Sequence, residues 1–327
     1  MSQHQGAASP AGAGPQVGVV GGGAWGIALA LAASRTGAAV TLFTRREHTE
    51  AELGAQGGAG RAALQTTDDL ATVARARLLV IAVPSMAARS VARALGDHLD
   101  GGHLVIHGVR GLDSAHLATL SDVIREETPV RRLGALGGPV QADDLAVGRP
   151  SAMVCGSRYP EVLAAVTAAF QGPSLRLYTT PDLRGLEWAS ALVGCLSIGV
   201  GFAEQAGAGP GLLAALISRG VDEAARIAAA AGAEERTILG LGGYGDLLAS
   251  IALDDRPEVV IGKAMASGRT LDEAVTEARL RVEAIPLIPR IVAFAKERRV
   301  KALTFDALMD ILNRVPPEAV MQKMYAA

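Results

Sequence analysis

A chain of 327 residues with 31 Lys and Arg against 33 Asp and Glu is long enough for two domains with substantial cores. Its near-neutral balance, a formal charge of −2, gives no reason to expect nucleic acid or an anionic membrane as a partner. Half the residues are apolar, yet the best candidate for a membrane span, Ala191–Ala203, is too short and contains Ser197, where a span needs roughly 18 unbroken apolar residues.

The first segment, Met1 to Pro15, is rich in Gly, Ala, Ser and Pro. It has neither a basic start nor an apolar run, so a disordered tail is expected, not a signal peptide. Next comes an apolar β-like run, Val17–Val20, that ends in Gly21-Gly22-Gly23-Ala24-Trp25-Gly26. An alanine-rich segment of helical character follows, Ile27 to Ser34. This G-x-G-x-x-G between strand and helix is the dinucleotide fingerprint: Gly21 for the tight turn, Gly23 for backbone approach to a pyrophosphate, Gly26 for close packing of helix on strand. The N–H groups at the helix start then face an anion.

A second strand, Ala39–Phe43, ends in Thr44-Arg45-Arg46, and no acid precedes Glu47. NAD-specific sites usually place Asp or Glu at this point. Two adjacent guanidiniums suit a 2′-phosphate instead. NADP(H) is therefore expected over NAD(H), with NAD an alternative and a solvated arginine loop the simpler explanation of the pair.

Leu78–Val83 is a continuous apolar strand stopped by Pro84, as in a parallel sheet buried on both faces. A helix over Ser90–Leu99, a strand over Leu104–Ile106 and a helix around Ala115–Glu127 follow. Weaker strands are expected at Leu133–Leu136, Ala152–Cys155 and Leu175–Tyr178. After Pro181 the pattern changes: Leu183–Ala206, Leu212–Ala231, Val259–Ala278 and Pro289–Val300 have helical spacing and few β-branched runs. The fold class is thus α/β, a Rossmann-type doubly wound sheet followed by an all-helical C-terminal domain. The expected boundaries are a tail over 1–15, a dinucleotide-binding domain over 16–182 and a helical substrate domain over 183–327. Cys155 and Cys195 have no zinc or redox spacing and fit small buried hydrophobes of a reducing compartment. A cytoplasmic protein without a metal, acting on a small-molecule substrate and assembling as a homodimer, is expected.

With these motifs in place, the chain resembles the bacterial-type NAD(P)-dependent glycerol-3-phosphate dehydrogenase family. Val-Val-Gly-Gly-Gly-Ala-Trp-Gly from Val19 and Ala82-Val83-Pro84-Ser85 carry the resemblance in the first half. Arg110-Gly111-Leu112 and Gly138-Pro139 follow, then Leu216–Gly220, Gly242–Leu247 and Val282-Glu283, all in family order. The resemblance implies cofactor contacts at Ala24, Trp25, Arg45, Arg46, Arg110, Ala142 and Glu283, beside the fingerprint glycines. It implies substrate contacts at Arg110, Gly138, Asp246 and Ser250, with Arg110 and Asp246 the catalytic candidates. The implied reaction interconverts dihydroxyacetone phosphate and glycerol 3-phosphate.

The departures are specific. Ala24 stands where the family often has serine, and Arg110 where it has a lysine. The family's proton-acceptor lysine and its following asparagine fall on Val193-Gly194. Its phosphate-holding Arg-Asn pair falls on Pro257-Glu258, and its small hydroxyl after Gly-Pro falls on Val140. A one-residue shift would make Arg256 the phosphate ligand. His107, three residues before Arg110, is either a structural histidine or a substitute proton donor. Three functions stay open: a dehydrogenase of the family's own substrates, a catalytically silent dinucleotide-binding homologue, and a reductase of a different, non-phosphorylated carbonyl compound.

Overall fold

The structure is a computed structural model, and it describes residues 15–48, 64–279 and 282–326. The expected tail, apart from Pro15, lies outside the described residues. Eight strands form one sheet in the order β3-β2-β1-β4-β5-β6-β7-β8. They are β1 (Gln16–Val20), β2 (Ala39–Phe43), β3 (Leu64–Thr67), β4 (Leu78–Ile81), β5 (Leu104–His107), β6 (Leu133–Gly137), β7 (Ser151–Gly156) and β8 (Leu175–Thr180). Every pairing is parallel except β6 with β7. Helices α1 (Ala24–Arg35), α2 (Leu70–Val73), α3 (Ser85–Gly96), α4 (Leu120–Glu127), α5 (Ala142–Val147) and α6 (Pro160–Phe170) lie between them in sequence. The apolar strands β4 and β5 are buried along their whole length, as strands covered on both faces must be.

From residue 183 the chain is helical. Here α7 (Leu183–Gln205), α8 (Pro210–Ala230) and α9 (Glu235–Leu239) lead into a π-helical turn, Leu241–Gly245, which continues into α10 (Asp246–Ile251). Then come α11 (Pro257–Ala266), α12 (Leu271–Ala278), α13 (Ala284–Glu297), α14 (Leu303–Leu312) and α15 (Pro317–Ala326). The long apolar α7 is the hub of this half. By length and composition it would cross a membrane, but 94% of its apolar window is buried inside the protein. Trp188, Leu192, Ile198 and Phe202 pack there against Ile261, Leu287 and Leu308 in one apolar cluster.

The expected single helix over Val259–Ala278 is two helices. Thr270 starts α12 with a capping box: its side chain accepts from the Glu273 N–H while Glu273 accepts from the Thr270 N–H. This satisfies helix-end donors that a continuous helix would not have freed. Pro289, expected to open a helix, lies inside α13.

Candidate active site

In a sheet of this topology ligands sit beyond the strand C-termini, at the point where the winding reverses. Here that point lies between β1 and β4. Gly21 leaves β1 at φ 132°, a conformation that favours glycine. A Cβ on Gly26 would lie 1.8 Å from the Gly21 carbonyl oxygen, so only glycine lets α1 start against this turn. At Gly23, in contrast, a Cβ would meet nothing within 4 Å. Gly23 and Ala24 are exposed, and no side chain caps the start of α1. Uncapped N–H groups at an open helix start fit the pyrophosphate of a dinucleotide. Trp25 follows, packed beside Gly108 at the end of β5. Arg45 and Arg46 are both exposed beyond β2, and Arg46 Nε donates to the Gly22 carbonyl at 3.2 Å.

The remaining candidates come from beyond β5 and β6, from α5 and from the helical half. Arg110, beyond β5, donates from Nη2 to Asp246 Oδ1 at 3.0 Å across 136 residues of sequence. Asp246 is fully buried at the start of α10, and one turn later Ser250 Oγ donates to the same oxygen at 3.4 Å. Burial pulls the Arg110 pKa down, but the charges of Asp246 and Glu258 outweigh it and hold the guanidinium above its ordinary value. Glu283 lies apart from this pair. Its carboxylate accepts the Ser85 N–H at 3.0 Å and the Ser85 hydroxyl, capping α3 from the helical half. Gly138 follows β6, and Ala142 is the first residue of α5.

Three further residues join the cluster: Arg256, raised above as a possible phosphate ligand, with Glu258 and Gln141. Arg256, just before α11, donates from Nε to Glu258 Oε2 at 3.1 Å and from Nη1 to Gln141 Oε1 at 2.9 Å. Its pKa is lowered, by burial first and then by the neighbouring Arg110 charge. Arg110, Asp246, Arg256, Glu258 and Gln141 thus form one electrostatically linked group of two cations and two anions. Three buried polar atoms in it have no partner among the described residues: Arg110 Nη1, Asp246 Oδ2 and Gln141 Nε2. Buried polar groups are otherwise almost always paired, so such a concentration marks a place for a ligand.

The position of the family lysine, Val193, is 3% exposed and belongs to the apolar cluster around α7. A Cβ on the next residue, Gly194, would sit 3.5 Å from Ala284 Cβ and 3.7 Å from Glu258 Oε1. Glu258 therefore approaches α7 at Gly194. The Cys195 thiol, also on α7, is pushed well above its ordinary pKa by burial and then by the Glu258 charge. His107 is buried, with both ring nitrogens engaged. Its Nε2 meets Glu187 Oε1 at 2.9 Å, and its Nδ1 is taken by the Val109 N–H. No cluster of metal-ligating side chains occurs among the described residues.

Comparison with known proteins gives the family and the fold. The family model for the NAD-dependent glycerol-3-phosphate dehydrogenase N-terminus matches residues 16–163, and that for the C-terminus matches 182–322. The chain belongs to this family. A glycerol-3-phosphate dehydrogenase [NAD(P)+] of Fusobacterium nucleatum is 30% identical over 94% of this chain and 96% of its own length. One of Mesorhizobium japonicum is 33% identical over 91% and 88%. The crystal structure of glycerol-3-phosphate dehydrogenase from Coxiella burnetii has the same fold, with a TM-score of 0.85 at 24% identity over 96% of this chain and 99% of that one.

Proposed function

We propose that this protein is a nicotinamide-dinucleotide-dependent oxidoreductase in which the family reaction, between dihydroxyacetone phosphate and glycerol 3-phosphate, is at best slow. The observation that carries this reading is the charge balance of the buried group. Arg110 is held by Asp246 and Arg256 by Glu258, so no cation is left over for a phosphate dianion, which would meet two carboxylates on arrival. A dinucleotide at the α1 turn supplies hydride chemistry. Arg110 then polarises a substrate carbonyl, and Asp246 orients Arg110. Neither Val193 nor Arg110 can pass a proton: valine has none to give, and the guanidinium pKa is raised further. A positioned acid or base is typically worth about 10²–10⁴-fold.

NADPH oxidation with dihydroxyacetone phosphate is therefore expected to run at least about 10²-fold below an ordinary family member. Ordinary turnover, about 1–10³ s⁻¹, would refute the reading. The combined variant Val193→Lys, Gly194→Asn, Pro257→Arg, Glu258→Asn should recover more activity than either pair alone, because one pair restores chemistry and the other phosphate binding. NADP(H) is preferred over NAD(H) on the strength of the exposed Arg45 beside Arg46. Calorimetric titration should show tighter NADPH binding, and Arg45→Glu should weaken NADPH selectively. Equal affinities would remove the preference. A silent dinucleotide-binding homologue is the second reading, favoured by the same missing lysine; it predicts cofactor binding with no turnover of any carbonyl compound. The cytoplasm and a homodimer complete the proposal, with residues 16–182 and 183–327 as its two domains.

A further inference from the structure

The hydrogen-bonding vacancies of the buried group carry a statement about the substrate. Arg110 Nη1 and Gln141 Nε2 are donors without acceptors, and Asp246 Oδ2 is an acceptor without a donor. Glu258 Oε2 accepts from Arg256 Nε, and its Oε1, which is not a buried vacancy, accepts no hydrogen bond from the described residues. The group therefore offers two donors and two acceptors at zero net formal charge. A phosphate ester fits this badly, since its oxygens accept hydrogen bonds and the two carboxylate oxygens repel them. A compound that carries both a carbonyl and hydroxyl groups fits, because each hydroxyl donates one bond and accepts another. Val193 and Val140 are buried apolar residues at positions where the resemblance places a lysine and a small hydroxyl.

We propose that this site takes a small, neutral, hydroxylated carbonyl compound. Its carbonyl oxygen accepts from Arg110, its hydroxyls donate to Asp246 and Glu258, and Gln141 donates to a hydroxyl oxygen. Glu258 is the specificity-determining residue: it turns Arg256 away from anions and reads a hydroxyl in place of a phosphate. The proposal rests on the oxidoreductase reading for the reaction, but recognition is testable apart from it.

The test is calorimetric binding of dihydroxyacetone and of dihydroxyacetone phosphate to the full chain, with NADPH present. The neutral compound is expected to bind at least about tenfold tighter, the scale set by a hydrogen bond to a charged group. Glu258→Gln keeps the side chain's size and removes its charge. It should weaken the neutral compound by about tenfold and strengthen the phosphate ester as Arg256 is released. Glu258→Asn should act in the same direction. Tighter binding of the ester by the unaltered chain would overturn the proposal, as would binding of neither compound or an unchanged preference in both variants. The expected preference without NADPH oxidation by any carbonyl compound would support the recognition and refute the oxidoreductase reading.

Discussion

The two halves of the molecule treat buried charge differently. Among the described residues of the sheet half, the buried polar side chains up to Ser157 are hydroxyls and one histidine. From Asp182 onward five carboxylates are buried: Asp182, Glu187, Glu223, Asp246 and Glu258. They divide by how they are paired. Asp182 uses both oxygens, one on the Gly185 N–H at 2.9 Å, the other on the Glu234 N–H at 2.9 Å and the Thr237 hydroxyl at 2.7 Å. Glu187 also uses both, on Ser121 and His107. Asp246 and Glu258 are held by arginines, and Asp246 leaves a buried oxygen, Oδ2, unpaired. A buried carboxylate with both oxygens satisfied serves the fold. One with a vacancy costs stability and points to a ligand.

The sharpest way to break this distinction is to remove an arginine. Arg110→Met leaves Asp246, fully buried, with Ser250 as its one side-chain hydrogen-bond partner among the described residues. Losing one member of a buried pair costs about 3–5 kcal/mol, because the other charge stays uncompensated. Urea unfolding should show that loss, and Arg110→Met with Asp246→Leu should recover much of it. A loss under about 1 kcal/mol for Arg110→Met would mean that the pair behaves as a surface bridge.

Two glycines sharpen the same contrast from the packing side. Gly26→Ala would drive a Cβ to 1.8 Å from backbone oxygen, an overpacking worth about 1–3 kcal/mol. It should also weaken dinucleotide binding, since the turn must shift. Gly194→Ala meets its first neighbour at 3.5 Å, ordinary contact distance. It lies inside α7, where alanine is favoured by up to about 1 kcal/mol. Melting temperatures of the two variants should therefore move in opposite directions. Equal losses would show that the wall beside Glu258 is packed as tightly as the glycine turn.

Legibility in the sequence follows the same divide. The strands β1, β2, β4 and β5 and the fingerprint turn are local patterns, short apolar runs, with Gly21 closing the first and Pro84 stopping the run that holds β4, and could be read directly. The strand β3 could not, because Leu64-Gln65-Thr66-Thr67 carries one apolar residue on the edge of the sheet. Helices α14 and α15 were likewise not anticipated. Arg110 and Asp246, which the structure brings within 3.0 Å, could be singled out because each lies in a short recognisable motif. The Arg256 contact to Gln141, across 115 residues, has no local signal. Glu258 was legible only as an obstacle to phosphate. Its approach to Gly194 exists only once α7 and α11 are packed together.

The smallest expected effect concerns Glu223 on α8, which is 4% exposed and accepts the Thr304 N–H at the start of α14 at 2.8 Å. Burial raises its pKa above the ordinary 4.5, against the opposing pull of the Thr304 hydrogen bond. The sign follows from proton linkage. Above pH 4.5 the unfolded chain releases this proton before the folded one does, so the folded state holds more protons and loses stability as pH rises. The loss begins near the ordinary value and is complete once pH passes the raised folded value. Glu223→Gln has no proton to lose and can still accept from Thr304. The difference in unfolding free energy between the variant and the parent chain should therefore move in the variant's favour across that window and stay level above it. A constant difference at every pH would mean that the Thr304 hydrogen bond fully offsets burial. Glu223 would then belong with Asp182 and Glu187, as a carboxylate the fold holds without electrostatic cost.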